Sequence, residues 1–146
     1  MTGTGLLLAL AMVGGTDRPV DFGTEVIPIL TRFGCNTGAC HGAAVGRGGF
    51  KLSLFGSDPS QDYAAIVHDL EGRRVDLARP SQSLILVKPS GKIDHEGGLR
   101  FSLESEAAER LTSWIAAGAR DIHARRLKDL VIDRGPTTVA RVGEES

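Results

Sequence analysis

The chain has 146 residues, the length of one domain of ordinary size, and its net charge at neutral pH is −1. It lacks the basic excess typical of nucleic-acid-binding proteins, so a nucleic-acid partner is not expected. Aromatic residues make up only 5% of the chain while glycines number 19, which favours a core completed by a bound group or a covalent staple.

An apolar run, LLLALAMV at positions 6–13, is followed by two glycines and a threonine. This pattern is typical of the apolar region and cleavage zone of a secretory signal peptide, and the run is too short to span a bilayer. Residues 1–15 are therefore predicted to be a signal peptide. No Lys or Arg precedes the run, so a start further upstream and a buried N-terminal helix are the alternatives.

The first predicted helix of the mature domain covers residues 21–33, with an apolar face that includes Val26 and Leu30, and Gly34 ends it. Residues 50–55 partly alternate between apolar and polar side chains, which predicts a short strand or extended segment.

A second helix is predicted through residues 63–70, with Leu70 on its apolar face and Asp58 or Ser60 as its N-cap. Residues 83–88 predict another short helix, with Ser81 as its cap.

The clearest helical pattern begins at Ser102 or Ser105 and ends at Gly118. Its apolar residues, at helical spacing, are Ala108, Leu111, Trp114 and Ile115. Beyond it the composition becomes charged, so residues 121–146 are predicted to be a linker or the start of a further domain, with one short strand at 130–132.

The most informative segment is GCNTGACHG at positions 34–42. It holds both cysteines of the chain, Cys35 and Cys40, and His41 directly follows the second. Cys-x-x-Cys-His is the attachment signature of a c-type haem, in which the thiols form thioethers and the imidazole binds the iron; here four residues separate the thiols. A small disulfide loop, half of a zinc site and two unrelated buried thiols are the alternatives.

Three segments together resemble the cytochrome c-like domains of planctomycete-type proteins: residues 34–42, residues 50–56 and the Gly-Gly-x-Arg-Phe sequence at 97–101. Residues 83–86 and 111–119 are also similar to the corresponding helices of class I cytochromes c. The resemblance implies one covalent haem c in a small, mainly α-helical domain over residues 20–120, with a short β insertion at 50–55. The family carries this domain at the start of larger secreted proteins, so the chain is expected to be a module of such a protein or a stand-alone relative.

The resemblance makes His41 the proximal iron ligand and leaves the distal ligand to be found. The methionines are Met1 and Met12, both within the predicted leader, so a histidine or no residue is expected on the distal side. His95 lies in a glycine-bounded loop close to where the family places its sixth ligand. A solvated loop histidine beside two carboxylates is the alternative for His95, and His68 and His123 are weaker candidates.

Three further residues are candidate haem contacts. Arg47 and Arg100 could pair with the haem propionates, because a guanidinium matches a carboxylate in a bidentate manner; a plain surface charge is the alternative for each. Trp114 could lie near the propionate edge, and simple helix packing is its alternative.

These observations predict an electron-transfer protein rather than an enzyme, since no catalytic triad, carboxylate pair or phosphate loop is present in the sequence. A redox protein is the expected partner and the periplasm or another extracytoplasmic space the expected location. A haem sensor or peroxidase-like site with an open distal position, and a haem-free secreted binding module with a Cys35–Cys40 disulfide, are the alternatives. The hypothesis of a bound haem further predicts a cavity beside Cys35, Cys40 and His41.

Overall fold

The computed structural model describes residues 18–122 together with residues 128, 129 and 131. Within them lie four α-helices: Ile27–Arg32 (α1), Pro59–Val67 (α2), Leu84–Val87 (α3) and Glu106–Ala116 (α4). A π-helical turn, Phe22–Val26, leads directly into α1, and 3-10 turns occupy Leu54–Gly56 and Pro80–Gln82. The described part of the chain contains no β-strand, which confirms the prediction of a mainly α class.

Several predictions fall beyond this part of the chain. The proposed signal peptide at 1–15, His123, most of the segment 121–146 and the strand expected at 130–132 lie outside the described residues. Among the residues that are described, no helix combines the length and the apolar character needed to cross a membrane.

The core forms where α4 packs against the first helical segment and α2. Trp114 and Phe22 are both buried, with ring centroids 5.4 Å apart, and Tyr63 meets Phe22 edge-on at 5.2 Å. The Tyr63 hydroxyl donates to the carbonyl of Ala119, and the Trp114 indole donates to the carbonyl of Arg120. The polar ends of these rings therefore fix the chain just beyond α4.

Two helix starts follow the sequence prediction. Ser105 caps α4 by accepting from the amide of Ala108, and Asp58 caps α2 by accepting from the amide of Gln61. The cap predicted at Ser81 is wrong: α3 follows Ser83, and the Ser83 hydroxyl accepts from the amide of Asp76 instead.

The helix predicted through residue 70 ends earlier, at Val67. Leu70 has a φ of 52° and leaves the helical face, and 62% of its surface is exposed. The Arg74 guanidinium donates to the carbonyls of Ala65 and Asp69, so a side chain from the following turn supplies partners for carbonyls at this helix end.

The prediction of a short β insertion at residues 50–55 is also wrong, because this segment contains no β-strand. A single bridge joins Arg47 to Phe50, and the segment ends in a 3-10 turn. Its backbone donors are used elsewhere: the amide of Leu52 bonds the carbonyl of His41, and the amide of Ser53 bonds the Asp62 carboxylate. Partners from a loop and a helix thus replace the neighbouring strand that a β-ladder requires.

Asp62 is a fully buried carboxylate that holds the extended segment onto α2. It accepts from both the amide and the hydroxyl of Ser53, and the Ser53 hydroxyl in turn accepts from the amide of Asp58. Burial raises the pKa of Asp62 above its ordinary value, and the two hydrogen bonds from Ser53 oppose that rise.

We expect Asp62→Ala to lower the free energy of unfolding by about 2 kcal/mol or more, because two buried donors of Ser53 lose their acceptor. Since the folded state binds a proton at Asp62 more tightly than the unfolded chain does, this residue's contribution to stability falls as the pH rises through its raised pKa. Urea unfolding at several pH values measures both effects. The control is Gln61→Ala, an exposed position on the same helix; equal stability of the two variants would contradict the prediction.

Candidate functional site

A cavity of about 470 Å³ opens beside the cysteine segment, as the haem reading of the sequence predicted. Its lining includes Cys35, Cys40 and His41. His95 also lines it, from the loop that precedes α4. The remaining apolar lining is Leu30, Phe50, Leu52, Leu70, Leu84, Ile85 and Pro89. Cations also line it, at Arg47, Arg73, Arg74 and Lys88, together with the acids Asp94 and Glu96.

The cysteine segment is a tight loop fixed by its own backbone. Gly34 follows α1 with a φ of 72°, and the amide of Cys35 bonds the carbonyl of Leu30 at 2.9 Å, which ends the helix. The amide of His41 then bonds the carbonyl of Cys35 at 3.0 Å, so the chain turns back on itself between the thiols. This turn brings Cys35, Cys40 and His41 to one cavity wall despite the longer spacing.

Both cysteines are buried, and their thiols are free. Burial raises the pKa of Cys35 to about 11, an effect that the nearby Arg100 guanidinium partly offsets. Arg100 donates to the sulfur of Cys40 at 3.4 Å. Cys35 is therefore held as a neutral thiol in an apolar setting, beside a cation that contacts the second sulfur.

The rings of His41 and His95 face each other across the cavity. Their centroids lie 6.4 Å apart, and the ring planes differ by 26°. Nδ1 of His41 lies 2.9 Å from the carbonyl of Phe50, and Nδ1 of His95 lies 2.9 Å from the carbonyl of Gly98. Because a carbonyl only accepts, Nδ1 carries a proton in each ring, so Nε2 is the nitrogen of each ring that could bind a metal.

The environment of His41 keeps its ring neutral. Burial lowers the pKa of His41, and the neighbouring His95 lowers it further, while the hydrogen bond to Phe50 acts in the opposite direction. The Phe50 ring also packs against the imidazole, with centroids 4.5 Å apart. A neutral imidazole oriented by a bond from Nδ1 to a backbone carbonyl is the usual form of a metal-ligating histidine.

The loop that carries His95 is closed at its base and held at its side. The amide of Arg100 bonds the carbonyl of Pro89 at 2.7 Å, and the Lys88 ammonium bonds the carbonyl of Asp94 at 3.0 Å. At Gly97 a Cβ atom would lie 2.7 Å from Cε1 of His95, so the absence of a side chain there lets the imidazole rest against the loop.

Other predicted site residues lie elsewhere. Arg100 contacts Cys40 but is not among the residues that line the cavity, and Trp114 packs in the core on Phe22. Arg47 does line the cavity. His68 is exposed at the end of α2, where it meets the edge of Tyr63, so the fold does not bring it to the site.

Sequence reasoning missed Phe50 and Arg74 as parts of the site. Arg74 is buried, and its guanidinium lies 4.2 Å from the centroid of the Phe50 ring, whose carbonyl holds His41. Burial lowers the pKa of Arg74, although an arginine remains charged in a protein. The charged turn that contains it looked like an exposed one, so no local signal distinguished Arg74 from its neighbour Arg73.

The protein groups present do not by themselves form a closed metal site. Among the described residues, no group of three or more His, Cys, Asp or Glu side chains is placed to hold a metal ion.

Comparison of the chain with protein-family models, with curated proteins and with solved structures gives no match.

The cysteine loop leaves no room for a side chain at Gly42. A Cβ there would lie 2.2 Å from the carbonyl oxygen of Asn36, whereas at Gly38 no atom lies within 4 Å. We expect Gly42→Ala to lower the free energy of unfolding by more than about 2 kcal/mol, and Gly38→Ala to change it by about 0.5 kcal/mol or less. Denaturant unfolding of both variants tests this, and equal stabilities would contradict it.

The neutral state of Cys35 predicts slow alkylation. In the folded haem-free chain at pH 8, iodoacetamide should modify Cys35 about a hundredfold more slowly than in the same chain unfolded by urea, since the pKa of the thiol is raised from 9.0 to about 11. The rate should rise with pH toward 11. Peptide mass spectrometry measures each thiol separately, and equal rates at Cys35 in the two states would contradict the prediction.

Proposed function

We propose that residues 20–120 form a cytochrome c-like domain that carries one covalent c-type haem and transfers electrons. The facing pair of His41 and His95 is the observation that carries this proposal. Both rings line one cavity and their centroids lie 6.4 Å apart, so the two imidazoles are close enough that both could hold one haem iron.

The cavity around this pair supports the same ligand. Cys35 and Cys40 lie in its wall beside His41, so each thiol could add its S–H across one vinyl group of the haem, without net oxidation. The apolar lining suits the porphyrin face and the cations suit its carboxylates. The volume lies within the range of cofactor pockets.

Different residues of the chain would hold the haem and orient its ligands. When bound, the haem iron supplies a one-electron couple. His41 and His95 would hold the iron, and the carbonyls of Phe50 and Gly98 orient their rings. Two histidine ligands favour a lower reduction potential than a histidine–methionine pair.

The proposal includes a location and a partner. Covalent haem attachment in bacteria takes place outside the cytoplasmic membrane, which agrees with the signal peptide predicted at 1–15. We infer a periplasmic or otherwise exported protein whose partner is a redox protein.

The test is direct. Residues 16–146, exported together with a haem-maturation system, should retain a c-type pyridine haemochrome spectrum after extraction with acid acetone. His95→Ala should convert the oxidised spectrum to a high-spin form, and the reduced variant should bind carbon monoxide without denaturation, because one ligand of the iron is lost. His68→Ala is the matched control and should keep the wild-type spectrum.

Each contrary result has a distinct meaning. Spectra unchanged by His95→Ala would exclude His95 as the distal ligand. Carbon monoxide binding by the native wild-type protein would favour a sensor or peroxidase-like site. Absence of a covalent haem band would refute the proposal, and loss of both free thiols would then favour the disulfide-stapled binding module.

A further inference from the structure

Arg74 is a buried cation in the wall of the cavity. Only 8% of its surface is exposed, and it lines the same cavity as His41 and His95. Charged side chains are rarely buried to this extent unless an opposite charge accompanies them. The surroundings of Arg74 should therefore contain a carboxylate.

The described part of the chain does not supply that carboxylate in direct contact. Glu25 pairs with Arg18 and Arg110, and Asp76 pairs with Arg79. Among the described residues no carboxylate lies within 4.0 Å of the Arg74 guanidinium, and Asp69 attracts it only at longer range.

The contacts that Arg74 does make leave part of its guanidinium free. Nη1 donates to the carbonyl of Ala65 at 2.8 Å and to that of Asp69 at 3.4 Å, and the plane lies over the Phe50 ring. A guanidinium has five donor hydrogens, so those on Nη2 and Nε remain for a further acceptor. These contacts anchor Arg74 without neutralising it.

We propose that Arg74 is the buried counter-ion of a carboxylate on the ligand of this cavity. The inference rests on the proposed function, in which that carboxylate is a haem propionate. Arg47 and Arg73 are exposed and line the same cavity, so they are placed to serve the second propionate. Arg100, which the sequence suggested for this role, is engaged with the sulfur of Cys40.

The anchoring of Arg74 makes it suited to this task. Because its guanidinium is fixed by carbonyls and by an aromatic ring before any ligand binds, little rotational freedom remains to be lost when a carboxylate pairs with it. The same stacking connects it to Phe50, whose carbonyl orients His41. The charge of the ligand's carboxylate would thus be balanced close to the proposed iron ligand.

The test compares two forms of one porphyrin. Iron mesoporphyrin IX has ethyl groups in place of vinyls, so it cannot attach to the thiols, and its dimethyl ester lacks only the two charges. The full chain, prepared without haem, is titrated with each form and binding is followed by absorbance. We expect the wild type to bind the diacid at least tenfold more tightly than the ester, and Arg74→Gln to lose at least tenfold of that preference.

Two further variants separate the charge of Arg74 from its structural contacts. Arg32 also lies over a phenylalanine ring, at 5.8 Å from the centroid of Phe33, but it is exposed and does not line the cavity. Arg32→Gln should keep the wild-type preference for the diacid. Arg74→Lys retains the charge and should keep part of that preference even where Arg74→Gln fails to fold.

A wild-type chain that does not distinguish diacid from ester would overturn the inference, as would an unchanged preference in Arg74→Gln. If neither porphyrin binds the haem-free chain, the inference is tested by the midpoint potential of the protein with covalent haem. There Arg74→Gln should have a lower midpoint potential than the wild type and Arg32→Gln, and equal potentials would overturn the inference.

These outcomes also separate the inference from the proposed function. Covalent haem without any effect of Arg74 leaves the electron-transfer proposal standing and refutes the counter-ion. A preference for the diacid that depends on Arg74, in a chain that never attaches haem, supports the counter-ion and refutes covalent attachment. Absence of both porphyrin binding and covalent haem refutes both.

Discussion

The hydrogen bond from the His41 ring to the carbonyl of Phe50 is the contact on which the site depends. It joins the cysteine loop to the extended segment that follows it, and a second bond, from the amide of Leu52 to the carbonyl of His41, runs beside it. Since these bonds tie His41 to its neighbours in the fold through both its backbone and its ring, the imidazole is oriented before a ligand is present. Phe50 also stacks under Arg74, so one residue connects the ring and the buried cation.

Two buried charged groups hold this arrangement in place, and they do so in different ways. Asp62 is satisfied from within the protein, because the amide and hydroxyl of Ser53 both donate to it. Arg74 has carbonyl acceptors and an aromatic ring, and among the described residues no carboxylate contacts it. Both oxygens of Asp62 accept hydrogen bonds within the protein, whereas the bonds from Arg74 use Nη1 alone, and this difference is the basis for proposing that Arg74 pairs with a carboxylate of a ligand.

The thiol of Cys35 and the two imidazoles of the cavity differ in reactivity. Burial keeps the Cys35 thiol protonated. A protonated thiol is oxidised and forms disulfides more slowly than a thiolate. In each of the two imidazoles Nδ1 is bonded to a carbonyl, so Nε2 is the nitrogen that could bind a metal. The apolar lining between them lowers the local dielectric, which strengthens every charge interaction inside the cavity.

The sequence alone determined the elements whose signals are local. The serine and aspartate caps at Ser105 and Asp58 and the apolar face of α4 follow from propensity and periodicity over a few residues. The cavity beside Cys35, Cys40 and His41 was predicted from a short motif, and His95, which also lines it, was named as a candidate from its position in a glycine-bounded loop.

Only the tertiary structure decided which distant groups meet at the cavity. It brought His95 opposite His41 and Arg74 over the ring of Phe50, and it left His68 and Trp114 elsewhere, because those outcomes depend on how the loops close. It also replaced the expected strand at 50–55 by bonds to a loop and a helix. Such partners lie far apart in the chain, so no pattern of neighbouring residues contains them.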